Sequence, residues 1–237
     1  MAKLTKSEVW FKDNVSENQK ELIEIGEIAN RILHEKLCIG LNNPMQTIAI
    51  YAKIFEALCE VIQSKQDKWD SFVLNVANRL KIGYTTTNNE DDEKQGNFMV
   101  FIQNVDNIQG GDDSLDEDET NAIELCSQWN AANVKEQADV IKDAAAKGRK
   151  NLDELINIKI ESHEFVIPVF CIIHSAIISY IRLKKVELNQ SEYSINVAGL
   201  YDVTILNNEE GEEEIFFEPS VSLKLMLKND ETASRED

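Results

Sequence analysis

The sequence predicts an α+β protein of two tandem units, each with two helices followed by a β-hairpin arm. Three observations carry this expectation. Amphipathic segments with helix-start signals come in pairs, each pair precedes β-branched and aromatic runs around a polar tip, and short words recur in register. Asn75-Val76-Ala77 and Asn196-Val197-Ala198 lie 121 residues apart, and Asn88-Asn89-Glu90 and Asn207-Asn208-Glu209 lie 119 apart. The units are read as residues 1–105 and 131–228, joined by an acidic linker with room for a short helix at 106–130. A disordered polar tail is expected at 229–237.

Ser16, three residues before Gln19, has the spacing of a capping box. Leu22, Ile25, Ala29, Ile32 and Leu33 then recur at helical spacing up to Gly40, read as the stop. Asn43 is the expected N-cap of the next helix, with Pro44 at the first position, where a missing N–H costs nothing. Its apolar face is Met45, Ile48, Tyr51, Ala52, Phe55, Leu58, Cys59 and Ile62. From Trp69 onward two readings compete, because Trp69, Phe72, Val73, Val76 and Leu80 also fit a helix. Strands are preferred, since "LKIGYTTTNNEDDEKQGNFMVFIQNV" flanks a polar, glycine-containing tip with β-formers. In the second half, Val140, Ile141, Ala144, Ala145, Leu152 and Leu155 mark a helix interrupted at Gly148. A more buried helix follows through "FVIPVFCIIHSAIISYI", where Pro168 is tolerable only in the first turn. "YSINVAGLYDVTILNN" and "EEIFFEPSVSLKLMLK" supply the second strand pair.

The 237 residues suffice for a sizeable core, and 43% hydrophobic with 28% charged residues is an ordinary globular composition. The net charge of −19, from 43 acidic and 24 basic residues, disfavours nucleic acid, because affinity for phosphate comes from Lys and Arg displacing counterions. Cys38, Cys59, Cys126 and Cys171 form no CxxC, and the first residues lack the apolar core of a secretory signal, so synthesis in a reducing cytoplasm is expected. The run Phe165 to Ile181 falls short of the ~20 residues a bilayer requires and is read as a buried helix rather than a membrane span.

No catalytic, cofactor-binding or metal-binding residue is predicted, and the protein is expected not to be an enzyme. His34 with Cys38, and Cys171 with His174, could each share a helix face and together form a zinc site, but the spacings are not those of a zinc module. "IQGGDD" has no phosphate-loop lysine and reads as a turn. The carboxylate runs lack EF-hand spacing and read as solvated charge. Arg182, Lys184 and Lys185 read as a solvated helix end, where cations oppose the helix dipole favourably.

Two helices followed by a sheet with a long two-stranded arm resembles the integration host factor and HU family of histone-like proteins. "IYAKIFEALCEVIQSKQDKW" is similar to that family's second helix. "INVAGLYDVTI" looks like the strand through its glycine turn, and Gly211, Glu212 to Glu214, Ile215 and Pro219 resemble its return strand. The resemblance implies two histone-like units in one chain. The family's arms enter the minor groove with basic residues and a proline wedge. Here the tips read "NNEDDEKQGN" and "NNEEGEEE", with no proline and Lys94 as the one cation, so the expectation is a retained fold without DNA binding.

Histone-like folds occur among virion proteins of tailed phages, notably the crAss-like group, and the resemblance therefore implies a structural ring component of a head-to-tail connector or tail. The expected partners are copies of itself and other virion proteins such as the portal. The candidate interface residues are Asn89, Glu90, Asp91 and Asp92 at the first tip and Glu209, Glu210, Glu212, Glu213 and Glu214 at the second. Two alternatives stay open at this point: a DNA-binding architectural protein of the same family, and an acidic adaptor or DNA mimic that inhibits a host enzyme.

Overall fold

Thr5 begins the helical layer. Its hydroxyl accepts the Glu8 N–H at 3.3 Å while the Glu8 carboxylate accepts the Thr5 N–H at 2.7 Å, a capping box that sets α1 (Lys6–Asn14). The sequence reading assigned no helix here, because Phe11 and Val15 are too few to establish a period. In the computed structural model, which describes residues 3–41, 43–65, 71–88, 94–102 and 121–219, the fold is mixed α+β with six α-helices and two three-stranded antiparallel sheets.

The next helix, α2 (Gln19–Leu37), follows Asn18 in the left-handed region at φ +51°, so Ser16 is not its cap. It stops at Cys38 rather than Gly40. Cys38 sits at φ +53° and the Ile39 N–H returns to the Leu33 carbonyl at 3.2 Å, as in a Schellman ending. Helix α3 (Pro44–Ser64) starts as the sequence predicts, with Asn43 Oδ1 accepting the Met45 N–H at 2.9 Å.

Each half carries three strands in a meander where the sequence predicted a pair. In the first half these are β1 (Ser71–Val76), β2 (Leu80–Asn88) and β3 (Lys94–Ile102). The repeated Asn-Val-Ala words explain the extra strand. Ala77 and Asn78 both have positive φ, the Arg79 N–H donates to the Val76 carbonyl at 3.0 Å, and Asn75 Oδ1 accepts the Asn78 N–H at 3.0 Å. This is a type I′ turn, which joins strands with the twist a hairpin needs. Ala198 and Gly199 repeat it, with Leu200 donating to Val197 at 3.0 Å and Asn196 Oδ1 accepting from Gly199 at 2.8 Å.

The second half comprises α4 (Ala122–Asn133), α5 (Ala138–Ile156), α6 (Val166–Glu187), β4 (Glu192–Val197), β5 (Tyr201–Asn207) and β6 (Glu213–Pro219). Its details echo the first. Asn14 and Asn133 each donate to a tryptophan carbonyl one turn back, Trp10 and Trp129, at 2.8 Å. Asn157 ends α5 at φ +55° with Ile158 bonded to Leu152 at 2.9 Å, as Cys38 and Ile39 end α2. Pro168 is the third residue of α6, where no intrahelical donor is lost. Gly148 does not break α5. It lets that helix approach the start of α6, since a Cβ there would lie 3.0 Å from Val166 Cγ1. Leu155, predicted apolar-facing, is exposed, and Ile156 is buried instead. The linker at 106–120, Trp69 and the tail at 229–237 lie outside the described residues.

The halves interlock. Helix α2 packs on α6 and α5 packs on α3, and side chains from both halves form one hydrophobic cluster. Helix α6 is apolar and long enough to cross a bilayer, but it is covered by protein on most sides. Strands β3 and β6 touch, so the two sheets adjoin beneath the helices. The residue preceding the second helix of each half reaches the first strand of the other. Asn18 Oδ1 accepts the Asn196 N–H at 2.9 Å, and Gln137 Oε1 accepts the Asn75 N–H at 3.0 Å while its Nε2 donates to the Val73 carbonyl at 2.9 Å. Asn18→Ala is expected to cost about 1 kcal/mol by stranding the Asn196 N–H. Urea unfolding should show a lower midpoint with an unchanged m-value.

Candidate functional site

The second hairpin tip is built from its turn outward. Asn208 Oδ1 accepts the N–H groups of Glu210 at 3.0 Å and Glu212 at 2.8 Å, Gly211 takes φ +82°, and its N–H donates to the Asn208 carbonyl at 2.9 Å. Glycine is required at that φ, as in hairpins with a three-residue loop. The ladder β5–β6 runs only one residue pair beyond its neighbour β4, so this hairpin is a short sheet end rather than the long arm the sequence suggested. The first hairpin extends further, since β2 pairs with β3 up to Asn88 and Lys94 but with β1 only to Thr85. Its tip residues Asn89, Glu90, Asp91 and Asp92 lie outside the described residues.

Of the second-tip carboxylates, Glu209, Glu210 and Glu212 are exposed. Glu213 is not left without a cation, contrary to the expectation for this tip. Its Oε1 accepts from Arg182 Nε at 2.6 Å, and its Oε2 lies 3.5 Å from Lys185 Nζ. Lys185 also donates to Asn207 Oδ1 at 2.7 Å. The basic end of α6, read from sequence as merely solvated, therefore ties the hairpin to the helix. Glu214 accepts from Asn208 Nδ2 at 3.1 Å.

A second constellation lies inside, where the halves meet. Tyr51 on α3 shares its hydroxyl with Tyr201 of β5 at 2.5 Å and with His174 Nδ1 on α6 at 2.9 Å. Tyr51 stacks on Phe170 with ring centroids 4.7 Å apart, and Phe217 of β6 lies against both His174 and Tyr201. His174 Nε2 has no partner among the described residues. Burial, aided by the Arg79 charge, pushes the His174 pKa down to about 4, and burial raises both tyrosine hydroxyls. At neutral pH these groups are uncharged and enclosed, so they act as a polar lock between the halves.

The three buried cysteines are equally inert. Burial raises the thiols of Cys59, Cys126 and Cys171, the last two to about 12, which removes the thiolate a nucleophile or metal ligand needs. His174 has its Nδ1 committed to Tyr51, and Cys38 lies exposed on the loop after α2, so the two Cys/His pairs do not form one site. Among the described residues no three His, Cys, Asp or Glu side chains converge as metal ligands. The grooves among the described residues include one of about 280 Å³ between α4, α5 and α6 that includes Lys142, His163 and Glu164, and one of about 250 Å³ lined by Ile39, Leu41, Ile158 and Ile160. Their walls are mainly apolar.

The Tyr51–His174–Tyr201 lock escaped sequence reasoning. Its sequence signal was a histidine and a tyrosine at positions demanding full burial, where each needs a polar partner. Comparison of the chain with protein-family models, characterised proteins and solved structures gave no match.

Proposed function

We propose that the protein is a non-enzymatic structural subunit of a tailed-phage virion, a ring component of the head-to-tail connector or tail, working through subunit contacts. In this reading the chain is two histone-like units fused into a pseudo-dimer. The observation that carries it is the interlock: each half supplies a helix to the other's core, the arrangement of an obligate dimer made in one polypeptide. Charge points the same way. At −19 overall, with Glu209, Glu210 and Glu212 outward on the second hairpin, the protein repels a phosphate backbone. Other proteins are the targets its surface favours.

The test pairs two measurements on the purified chain. Light scattering and electron microscopy should reveal defined oligomers, and a gel shift with bent or nicked duplex at low salt should reveal no salt-dependent retention. Replacing Glu209, Glu210 and Glu212 together by Ser should leave the thermal midpoint within a few degrees of wild type while weakening assembly several-fold. A monomer that retards duplex in a salt-dependent way would return the protein to the DNA-bending class.

A further inference from the structure

The two sheets share a strand order yet present unlike outer faces. On the first, the rows Val73–Gly83–Met99 and Asn75–Lys81–Phe101 face away from the helices. Phe101 is 49% exposed, Val73 and Met99 are also exposed, and the described part of this face carries no carboxylate. On the second, the rows Glu192–Leu206–Glu214, Ser194–Thr204–Phe216 and Asn196–Asp202–Glu218 place four carboxylates around Phe216, itself 47% exposed, with no cation. Because β3 and β6 touch, Met99, Phe101 and Phe216 sit on adjoining strands. Single exposed apolar residues are ordinary, but several on one face beside charges of one sign mark an interaction surface.

Helix α1 offers the complement. Val9, 43% exposed, is flanked on the outward side by Lys6 and Lys12, and exposed Leu4 and Lys3 precede the cap. Among the described residues these three lysines make no ion pair, whereas the cations at the far end of α6 are paired with Glu24, Glu187 and Glu213. The acids of α1 are Asp13 and Glu8, the latter hydrogen-bonded to Thr5 and Asn43 and interacting with the Lys12 charge.

We infer that α1 of one copy docks on the sheet face of a second copy, with Leu4 and Val9 against Met99, Phe101 and Phe216 and the lysines toward Glu214 and Glu218. This rests on the assembly reading above and names its contact. The two surfaces differ, so the contact is heterologous, and copies add head to tail into a closed ring or a filament.

Mixing complementary variants tests it. Val9→Glu spoils α1 and Phe101→Glu spoils the sheet face. Both sites are exposed, so the circular dichroism spectrum and thermal midpoint should stay near wild type. Native mass spectrometry and light scattering should find wild type assembled and each variant weakened at least ~tenfold in Kd. A mixture of the two variants should give a 1:1 dimer and nothing larger, because one intact pair of surfaces remains. The double exchange Lys6→Glu, Lys12→Glu with Glu214→Lys, Glu218→Lys should restore assembly that either half of the exchange removes. Wild-type assembly that both single variants leave intact would overturn this contact while leaving the assembly reading standing. A wild type monomeric at ~100 μM overturns both. A monomer in which Phe101→Glu exposes residues 220–237 to protease would assign the face to the chain's own C-terminal segment, and would likewise overturn the contact.

Discussion

Gly26→Leu is expected to lower the thermal midpoint by ~10 °C or more, or to prevent folding altogether. Helix propensity alone predicts the opposite, since Gly in a helix interior is worth about 1 kcal/mol less than Ala or Leu. Packing decides the sign. A Cβ at residue 26 would stand 2.5 Å from the Pro44 carbonyl oxygen and 2.8 Å from Pro44 Cβ, and neither the carbonyl nor the proline ring can swing aside as a flexible side chain would. Pro44 opens α3, and its neighbour Asn43 both caps that helix and donates to Glu8 of the α1 capping box at 2.7 Å. Displacing this junction loosens two helix starts together, and overpacking against backbone exceeds the ~1–3 kcal/mol typical of an added methylene, for a total above ~3 kcal/mol. Gly40→Leu is the control. Nothing lies within 4 Å of its added Cβ, so a change below about 1 kcal/mol is expected. Thermal circular dichroism of the two variants settles the comparison, and a Gly26→Leu midpoint close to wild type would sink the argument.

The same junctions mark where the sequence could be read and where it could not. The α3 start was legible because Asn43 and Pro44 act locally, through one hydrogen bond and one fixed φ. The α2 start was misread because the Asn18 side-chain oxygen, instead of capping its own helix, accepts the N–H of Asn196 in a strand 178 residues away. No local pattern encodes that choice. The recurrence of Asn-Val-Ala was visible, but its meaning was a tight turn between two strands, and treating it as a point inside one long strand hid β1 and β4. Glu213 was counted with its neighbours because its partners Arg182 and Lys185 lie a full helix end and strand pair earlier. Periodicity thus located the core faces of α2, α3 and α5 well. Tyr51 stood on the periodic apolar face of α3, but periodicity does not name the polar partner a buried hydroxyl needs, which is why its lock with His174 surfaced only in three dimensions.

That lock makes stability depend on acidity with a definite sign. His174 titrates at about 4 when folded and near 6.5 when unfolded, so between these values the unfolded chain holds a proton the folded one refuses. Stability is therefore complete above about pH 6.5 and falls as pH drops toward 4. The full depression corresponds to about 3 kcal/mol, of which about 2 kcal/mol is lost by pH 5. The facing groups do not soften this. Tyr51 and Tyr201 stay protonated, Cys171 is neutral, and the nearby Arg79 charge opposes a second positive charge. Protonation makes both ring nitrogens donors, and Nε2 has no acceptor among the described residues, so the charged ring is a poor fit in the closed interlock. Urea midpoints for wild type and His174→Phe, taken from pH 7.5 down to pH 5 and so above the isoelectric point near 4.6, isolate the effect. Carboxylates titrate alike in both proteins and cancel in the difference. His174→Phe should be less stable at pH 7.5, because the Tyr51 hydroxyl loses one of its two partners and keeps only Tyr201, and should regain about 2 kcal/mol relative to wild type by pH 5. Amide protection in α3 and α6, corrected for the intrinsic slowing of exchange with falling pH, should drop further over this range in wild type than in His174→Phe, because those two helices carry the lock's partners. A difference that stays flat with pH would mean that His174 can charge without opening the interlock.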